Sequence, residues 1–167
     1  AQRKRGPWAF VPGLVAVVVA VAIAVIVIIS TNSSGAKTRP VSQTIRTTLV
    51  SQSGSYALSA GIVSGQPGGA GAATIDQYFT GALKPHGPPV PVSAKITIRF
   101  NNGTILGNLQ ATAAPQPDDS VRVVGRGTFA GGTGKYKGAT GKFTFLGGRP
   151  KLQLPNARFQ LTGSIKY

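Results

Sequence analysis

The chain has 167 residues, a formal net charge of +15 and no cysteine, which excludes disulfides and thiolate metal sites. Only three acids, Asp76, Asp118 and Asp119, accompany 18 Lys and Arg residues and one histidine. General acid–base chemistry usually needs a histidine or a carboxylate pair, so this composition argues against most hydrolases. We predict no catalytic residue set, no cofactor and no metal site. The excess of positive charge predicts an anionic partner.

The N-terminal residues predict a membrane anchor. Residues 1–7 form a basic tail that contains Arg3, Lys4 and Arg5, and residues 8–29 follow without a charge. As a helix, residues 8–29 would span about 33 Å at roughly 1.5 Å per residue, which matches a hydrocarbon core of about 30 Å. A cleaved signal peptide has a shorter apolar core. The residues assigned to the transmembrane anchor are Trp8, Phe10, Val11, Leu14, Val19, Ile23, Ile26 and Ile29.

The charges beside this segment predict its orientation. Arg3, Lys4 and Arg5 lie next to its N-terminal end, whereas Lys37 and Arg39 lie farther from the other end. The positive-inside rule therefore places the N-terminus in the cytoplasm and the rest of the chain outside it. We expect a single-pass protein of the cell membrane, with a polar linker over residues 30–41 and an extracytoplasmic domain over residues 42–167.

The extracytoplasmic domain alternates apolar and polar residues with a period of two, which is typical of β-strands. Ile96, Ile98 and Phe100 share one face, and Asn101-Asn102-Gly103 then predicts a tight hairpin turn. The Gly/Pro-rich stretches 64–73 and 84–92 are predicted to be long surface loops. Eight strands are predicted, over residues 43–50, 55–63, 73–83, 94–100, 104–112, 120–129, 142–147 and 157–167.

The predicted fold is an all-β, eight-stranded antiparallel barrel preceded by one N-terminal transmembrane α-helix. Several short, evenly spaced strands favour a barrel or a sandwich. Glycines at inner positions, namely Gly107, Gly125, Gly127 and Gly163, favour the barrel, because small inward residues relieve crowding where strands bend. The residues predicted to fill the interior are Phe79, Ile96, Ile98, Phe100, Phe129, Leu161 and Ile165.

Two segments carry a family resemblance. Residues 127–141 read GTFAGGTGKYKGATG, and residues 161–167 read LTGSIKY. The first resembles the hairpin of allene oxide cyclase barrel-like and dirigent-like proteins, and the second resembles the last strand of bacterial members of that group. The resemblance extends over residues 41–167 and is sharpest over residues 125–167. It implies an eight-stranded antiparallel barrel and assigns no activity.

Other local features have simple structural interpretations. Gly134-Lys135 and Gly141-Lys142 do not match a phosphate-binding loop, because the required earlier glycines and the Ser or Thr after the lysine are missing. His86 is interpreted as an exposed loop histidine and Asp118-Asp119 as a turn. Asp76, the only acid within a predicted strand, is interpreted as a surface partner for a basic residue.

The basic residues on the polar faces of the strands are the best functional indication. They would point outward from a barrel, and they are Lys95, Arg99, Arg122, Arg126, Lys142, Arg158 and Lys166. We interpret the protein as a non-catalytic structural or accessory subunit of a larger membrane assembly, whose basic barrel docks on an acidic partner surface. Anionic lipid or an envelope polymer is an alternative partner. Nucleic acid is not expected, given the predicted location and the lack of an aromatic stacking platform.

Two other functions remain open. The barrel could carry a small hydrophobic ligand or act as an isomerase, if Tyr78, Phe79, Phe100, Phe129, Phe143 and Phe145 line an open interior. Bulky inner residues such as Ile96, Ile98 and Phe100 instead favour a filled interior. A pilin-like filament subunit ranks lower, because no acidic residue lies early in the apolar segment.

Overall fold

The computed structural model describes residues 35–167, in which eight antiparallel strands close into a barrel. Each strand pairs with its neighbours in sequence, and the last strand closes on the first. The all-β, eight-stranded antiparallel barrel is therefore confirmed. The strands are β1 (Thr38–Ser53), β2 (Tyr56–Gln66), β3 (Gly71–Phe79), β4 (Val90–Phe100), β5 (Gly103–Pro115), β6 (Val121–Gly132), β7 (Thr140–Arg149) and β8 (Asn156–Lys166).

The predicted transmembrane helix over residues 8–29, its anchor residues and the flanking Arg3, Lys4 and Arg5 lie outside the described residues. Within residues 35–167, no helix has the length and apolar character needed to cross a bilayer. The anchor therefore stays a prediction from the sequence.

β4 shows how the strand pattern builds the barrel wall. Ile96, Ile98 and Phe100 are buried, while Lys95 and Arg99 between them are exposed, as the alternation predicts. Phe100 pairs with Gly103, so Asn101 and Asn102 form the two-residue turn that the sequence predicts. The seven residues predicted to fill the interior all lie on inner faces, although Phe79 is only half-buried.

Several boundaries differ from the predictions, because most strands are longer than predicted; β4, for example, begins at Val90, inside the predicted loop over residues 84–92. β1 begins at Thr38, inside the predicted linker over residues 30–41, because Thr38–Val41 pairs with the end of β8. Pro40 is tolerated there, since β1 has only β8 as a neighbour until Ser42 pairs with Gln66. β3 ends at Phe79 rather than at residue 83. The predicted loop over residues 64–73 is shortened to residues 67–70, because β2 and β3 extend into it.

The two ends of the barrel are packed differently. The end where β1 begins is called the entry end, because the chain enters the barrel there. It is closed by Tyr136, which lies in a short 3-10 helix (Gly134–Tyr136) between β6 and β7. Tyr136 is completely buried, and its ring packs against Phe100 and Tyr167 at centroid distances of 5.7 and 4.9 Å. The opposite end, called the far end, carries the loops over residues 80–89, 116–120 and 150–155.

Candidate functional site

The far half of the barrel contains an interior cavity of about 320 Å³. The space exists because inner positions that hold isoleucine, leucine or phenylalanine near the entry end are alanines here. The alanines that line the cavity on the strands are Ala57, Ala94, Ala111, Ala113 and Ala157. The volume lies at the lower end of the range of pockets that enclose small organic ligands. The interior is therefore filled in one half and open in the other.

Phe79 and Phe145 line this cavity, as the ligand-carrier alternative requires. Phe100, Phe129 and Phe143 instead lie in the packed core, where the rings of Phe129 and Phe143 are 4.9 Å apart. The prediction for Tyr78 was wrong. Its side chain is 51% exposed on the outer face, where its ring lies 5.2 Å from that of Tyr56.

The polar side chains in the cavity lining are Gln52, Ser59, Gln77 and Arg149. Inside, the Gln77 amide donates a hydrogen bond of 3.0 Å to the Ser59 hydroxyl. At the far end, Arg149 pairs with inward-facing Val121, so it lies at the inner rim. Burial lowers the pKa of the Arg149 guanidinium, which still keeps its charge as arginine does in proteins. Among the described residues that line the cavity, Arg149 is the only ionisable side chain.

The loops around the cavity mouth are joined through Asp119. The Asp119 carbonyl oxygen accepts a hydrogen bond of 2.8 Å from the Leu152 amide, and its carboxylate lies 3.6 Å from His86 Nε2. His86 and Asp119 both have positive φ angles, 55° and 64°, which few non-glycine residues adopt. His86 is an exposed loop residue and Asp118-Asp119 lies in a turn, as the sequence indicates. The contacts of the loop that carries Asp119 with the loops that carry His86 and Leu152 were not predicted.

The seven predicted basic residues are all exposed on the outer surface, but they do not form one continuous face. Five of them lie on the adjacent strands β6, β7 and β8, whereas Lys95 and Arg99 lie on β4, with β5 in between. Within residues 35–167 no lysine or arginine forms an ion pair; the one such contact is that of Asp119 with His86, which is charged only when protonated. Asp76 accepts a hydrogen bond of 2.8 Å from the Tyr56 hydroxyl instead of pairing with a basic residue.

An outer groove of about 1170 Å³ gathers four arginines at the far half of the barrel. Arg122 and Arg158 belong to the predicted basic face, whereas Arg46 and Arg149 were not predicted to lie with them. The sequence offers no local signal for this cluster, because it depends on which strands become neighbours when the barrel closes. The groove and the cavity share Arg149, Val121 and Ala157 in their linings.

No family model, curated protein or solved structure matches the chain. The resemblance to allene oxide cyclase barrel-like and dirigent-like proteins therefore stays a prediction.

Proposed function

We propose that the barrel binds a small apolar molecule with one anionic end in its far half. The observation that carries this proposal is the alanine-lined cavity of about 320 Å³. Tightly packed interiors contain few voids larger than a water molecule, so a cavity of this size indicates binding rather than imperfect packing. Transfer of an apolar chain into it would be favourable by about 25 cal/mol per Å² of apolar surface removed from water.

The charge at the rim defines the polar part of the ligand. Arg149 is partly desolvated beside the cavity and faces no acidic partner in an ion pair within the described residues. A guanidinium matches the geometry of a carboxylate or phosphate, so the anionic end of the ligand would lie at Arg149. The apolar part would extend inward, toward Phe145 and Phe159.

The proposed role is binding rather than catalysis. Of the described residues in the cavity lining, none is an aspartate, a glutamate or a histidine. Asp76 is engaged with Tyr56, and Asp118 and Asp119 lie in a loop. An isomerase would need a group that moves a proton in the cavity, whereas a carrier needs only shape, apolar surface and the arginine.

Photolabelling of the full chain in phosphatidylcholine nanodiscs tests this proposal. The probe is an aliphatic carboxylic acid that carries a diazirine. Ala111→Leu fills the cavity from β5, while Thr112→Leu adds the same side chain to the outer face of the same strand. We expect labelling to fall about tenfold in Ala111→Leu, equivalent to a loss of about 1.4 kcal/mol, and to stay unchanged in Thr112→Leu. Equal labelling of both variants would exclude the cavity as the binding site.

A second candidate function is favoured by the arginines of the outer surface, none of which forms an ion pair within residues 35–167. We propose that the chain is also a membrane-anchored accessory subunit, held by the predicted helix over residues 8–29, whose basic barrel docks on an acidic partner. Mild-detergent extraction from native membranes, native-gel separation and mass spectrometry test this role. A complex of fixed stoichiometry is expected, whereas a lone small species would rule the role out.

A further inference from the structure

Three of the four arginines of the outer groove form a transverse row that follows from the strand register. Arg122 of β6 pairs with Gly148 of β7, and Gly148 pairs with Arg158 of β8. Arg158 in turn pairs with Arg46 of β1. Since neighbouring strands lie about 4.8 Å apart, Arg158 lies one strand spacing from Arg46 and two from Arg122. Three outward-facing arginine residues therefore lie along one line around the barrel.

This row does not stabilise the isolated barrel. Like charges directly opposite each other on neighbouring strands are destabilising, and none of these arginines is in an ion pair within residues 35–167. Solubility alone would be served by mixed charges spread over the surface. An anionic ligand that lies across the row would remove the repulsion.

Gly148 of β7 occupies the position between Arg122 and Arg158, so the row has no side chain there. The backbone geometry fixes this gap. Gly148 has a φ of +151°, and a Cβ atom at this position would overlap the Val121 carbonyl oxygen. No side chain can therefore fill the space between Arg122 and Arg158. The glycine leaves a depression with half-buried backbone between two cations, into which a ligand can approach closely.

The rest of the lining indicates what kind of anion fits. Ile62, which pairs with Arg46 at the end of the row, is 62% exposed, and Pro117 and Pro150 add further apolar surface. Asp118 lies in the same lining, and hydrogen bonds from the Ser120 hydroxyl and amide lower its pKa, so it is an anion at neutral pH. A uniformly charged phosphate polymer would leave the apolar surface uncovered and would be repelled by Asp118. A protein segment can combine carboxylates for the arginines, apolar side chains for Ile62 and a donor for Asp118.

We infer that the outer groove formed by Arg46, Arg122, Arg158 and the Gly148 backbone binds an acidic, partly apolar segment of a partner protein. This inference rests on the second candidate function, the accessory subunit, and it names the surface and the chemistry of the partner. The groove and the cavity share part of their linings, but Arg122 and Arg158 line the groove alone, so substitutions there test the groove without changing the cavity lining.

The test compares two double variants of the full chain in phosphatidylcholine nanodiscs. Arg122→Gln with Arg158→Gln removes two charges from the groove. Lys95→Gln with Arg99→Gln removes two charges from β4 and serves as the matched control, since these residues are also exposed on the outer surface. The probe is a random copolymer of glutamate and tyrosine, with inorganic polyphosphate and phosphatidylglycerol vesicles as parallel ligands.

We expect the affinity for the copolymer to fall about tenfold or more in the groove variant and less than about threefold in the control. Polyphosphate and the vesicles are attracted by the overall positive charge of the protein, so both variants should bind them with equally reduced affinity. An equal loss of copolymer affinity in both variants, or no binding of the copolymer by the native chain, would overturn the inference. A groove-specific loss for polyphosphate or for the vesicles, without one for the copolymer, would assign the groove to that ligand instead.

Two controls separate the possible failures. Thermal unfolding of both variants shows that they are folded, and removal of a like charge from the groove should not lower stability. Photolabelling of the cavity in the groove variant should match that of the native chain. Loss of copolymer binding with intact photolabelling then assigns the copolymer site to the groove and leaves the cavity unaffected. The accessory role is tested separately, by the composition of the complex extracted from native membranes.

Discussion

Arg46 of β1 and Arg158 of β8 lie directly opposite each other on the outer surface of the barrel, where the first and last strands meet. Neither forms an ion pair within the described residues, so their charges repel across the strand pair. We expect Arg158→Gln to raise the free energy of unfolding by about 0.5 kcal/mol at low salt, measured by chemical denaturation. The gain should shrink at high salt, because salt screens exposed charges.

Lys95→Gln is the matched control for this prediction. Lys95 is also exposed, but the residue opposite it in the strand register is Asp76 of β3 rather than a like charge, and the two form no ion pair. Its substitution should therefore leave the stability unchanged or slightly lower it. A stabilisation of the same size in both variants would indicate that lowering the overall net charge stabilises the barrel, rather than removal of the repulsion between Arg46 and Arg158.

The closure that joins Arg46 to Arg158 also marks the limit of prediction from the sequence. The alternation of Ile96, Ile98 and Phe100 and the Asn101-Asn102 turn depend on neighbouring residues, so they could be predicted. The pairing of β1 with β8 depends on barrel closure over more than a hundred residues, and no local pattern specifies its register. The sequence therefore predicted outward basic residues but not the row that Arg46, Arg158 and Arg122 form.

The cavity was missed for a related reason. The alternation places Ala94, Ala111 and Ala113 on inner faces, as it places Ile96 and Ile98. Whether inner residues fill the space depends on which ones meet across the barrel, and only the three-dimensional structure brings the alanines together at the far end. The bulky residues used to predict a filled interior, Ile96, Ile98 and Phe100, belong to the packed part of the core.

Tyr136 is expected to be a main determinant of stability at the entry end. It is completely buried between Phe100 and Tyr167. Tyr136→Ala should lower the free energy of unfolding by about 3–5 kcal/mol, the usual cost of removing a large buried aromatic ring. Tyr136→Phe keeps the ring and should cost far less. Equal losses in both variants would assign the stabilisation to the hydroxyl group rather than to packing.

The same tyrosine predicts a loss of stability at alkaline pH. Burial raises the pKa of the Tyr136 hydroxyl above its ordinary value of 10.0. Because the folded state holds this proton more tightly than the unfolded state, stability is intact below about pH 10 and falls as the pH rises further. Denaturation curves between neutral pH and pH 11 should show this fall, and the fall should be smaller in Tyr136→Phe. An identical pH profile for that variant would contradict the assignment to Tyr136.

Gly148 is expected to tolerate no side chain. Its positive φ and its approach to the Val121 carbonyl oxygen predict that Gly148→Ala lowers the free energy of unfolding by about 1–3 kcal/mol. Gly81→Ala is the control, because a Cβ atom there would meet no atom within 4 Å and its φ is not positive. Thermal unfolding distinguishes the two variants. A tolerated Gly148→Ala would show that the groove can accept a side chain at its centre.

The most direct test of the ligand cavity is the position of the photolabel in the native chain. After labelling with the diazirine carboxylic acid in nanodiscs, peptide mass spectrometry locates the modified residues. Modification is expected at cavity-lining positions of the far half, such as Ala94, Leu109 and Phe145. Modification confined to exposed apolar residues such as Val50, Val124 and Leu146 would contradict binding inside the barrel.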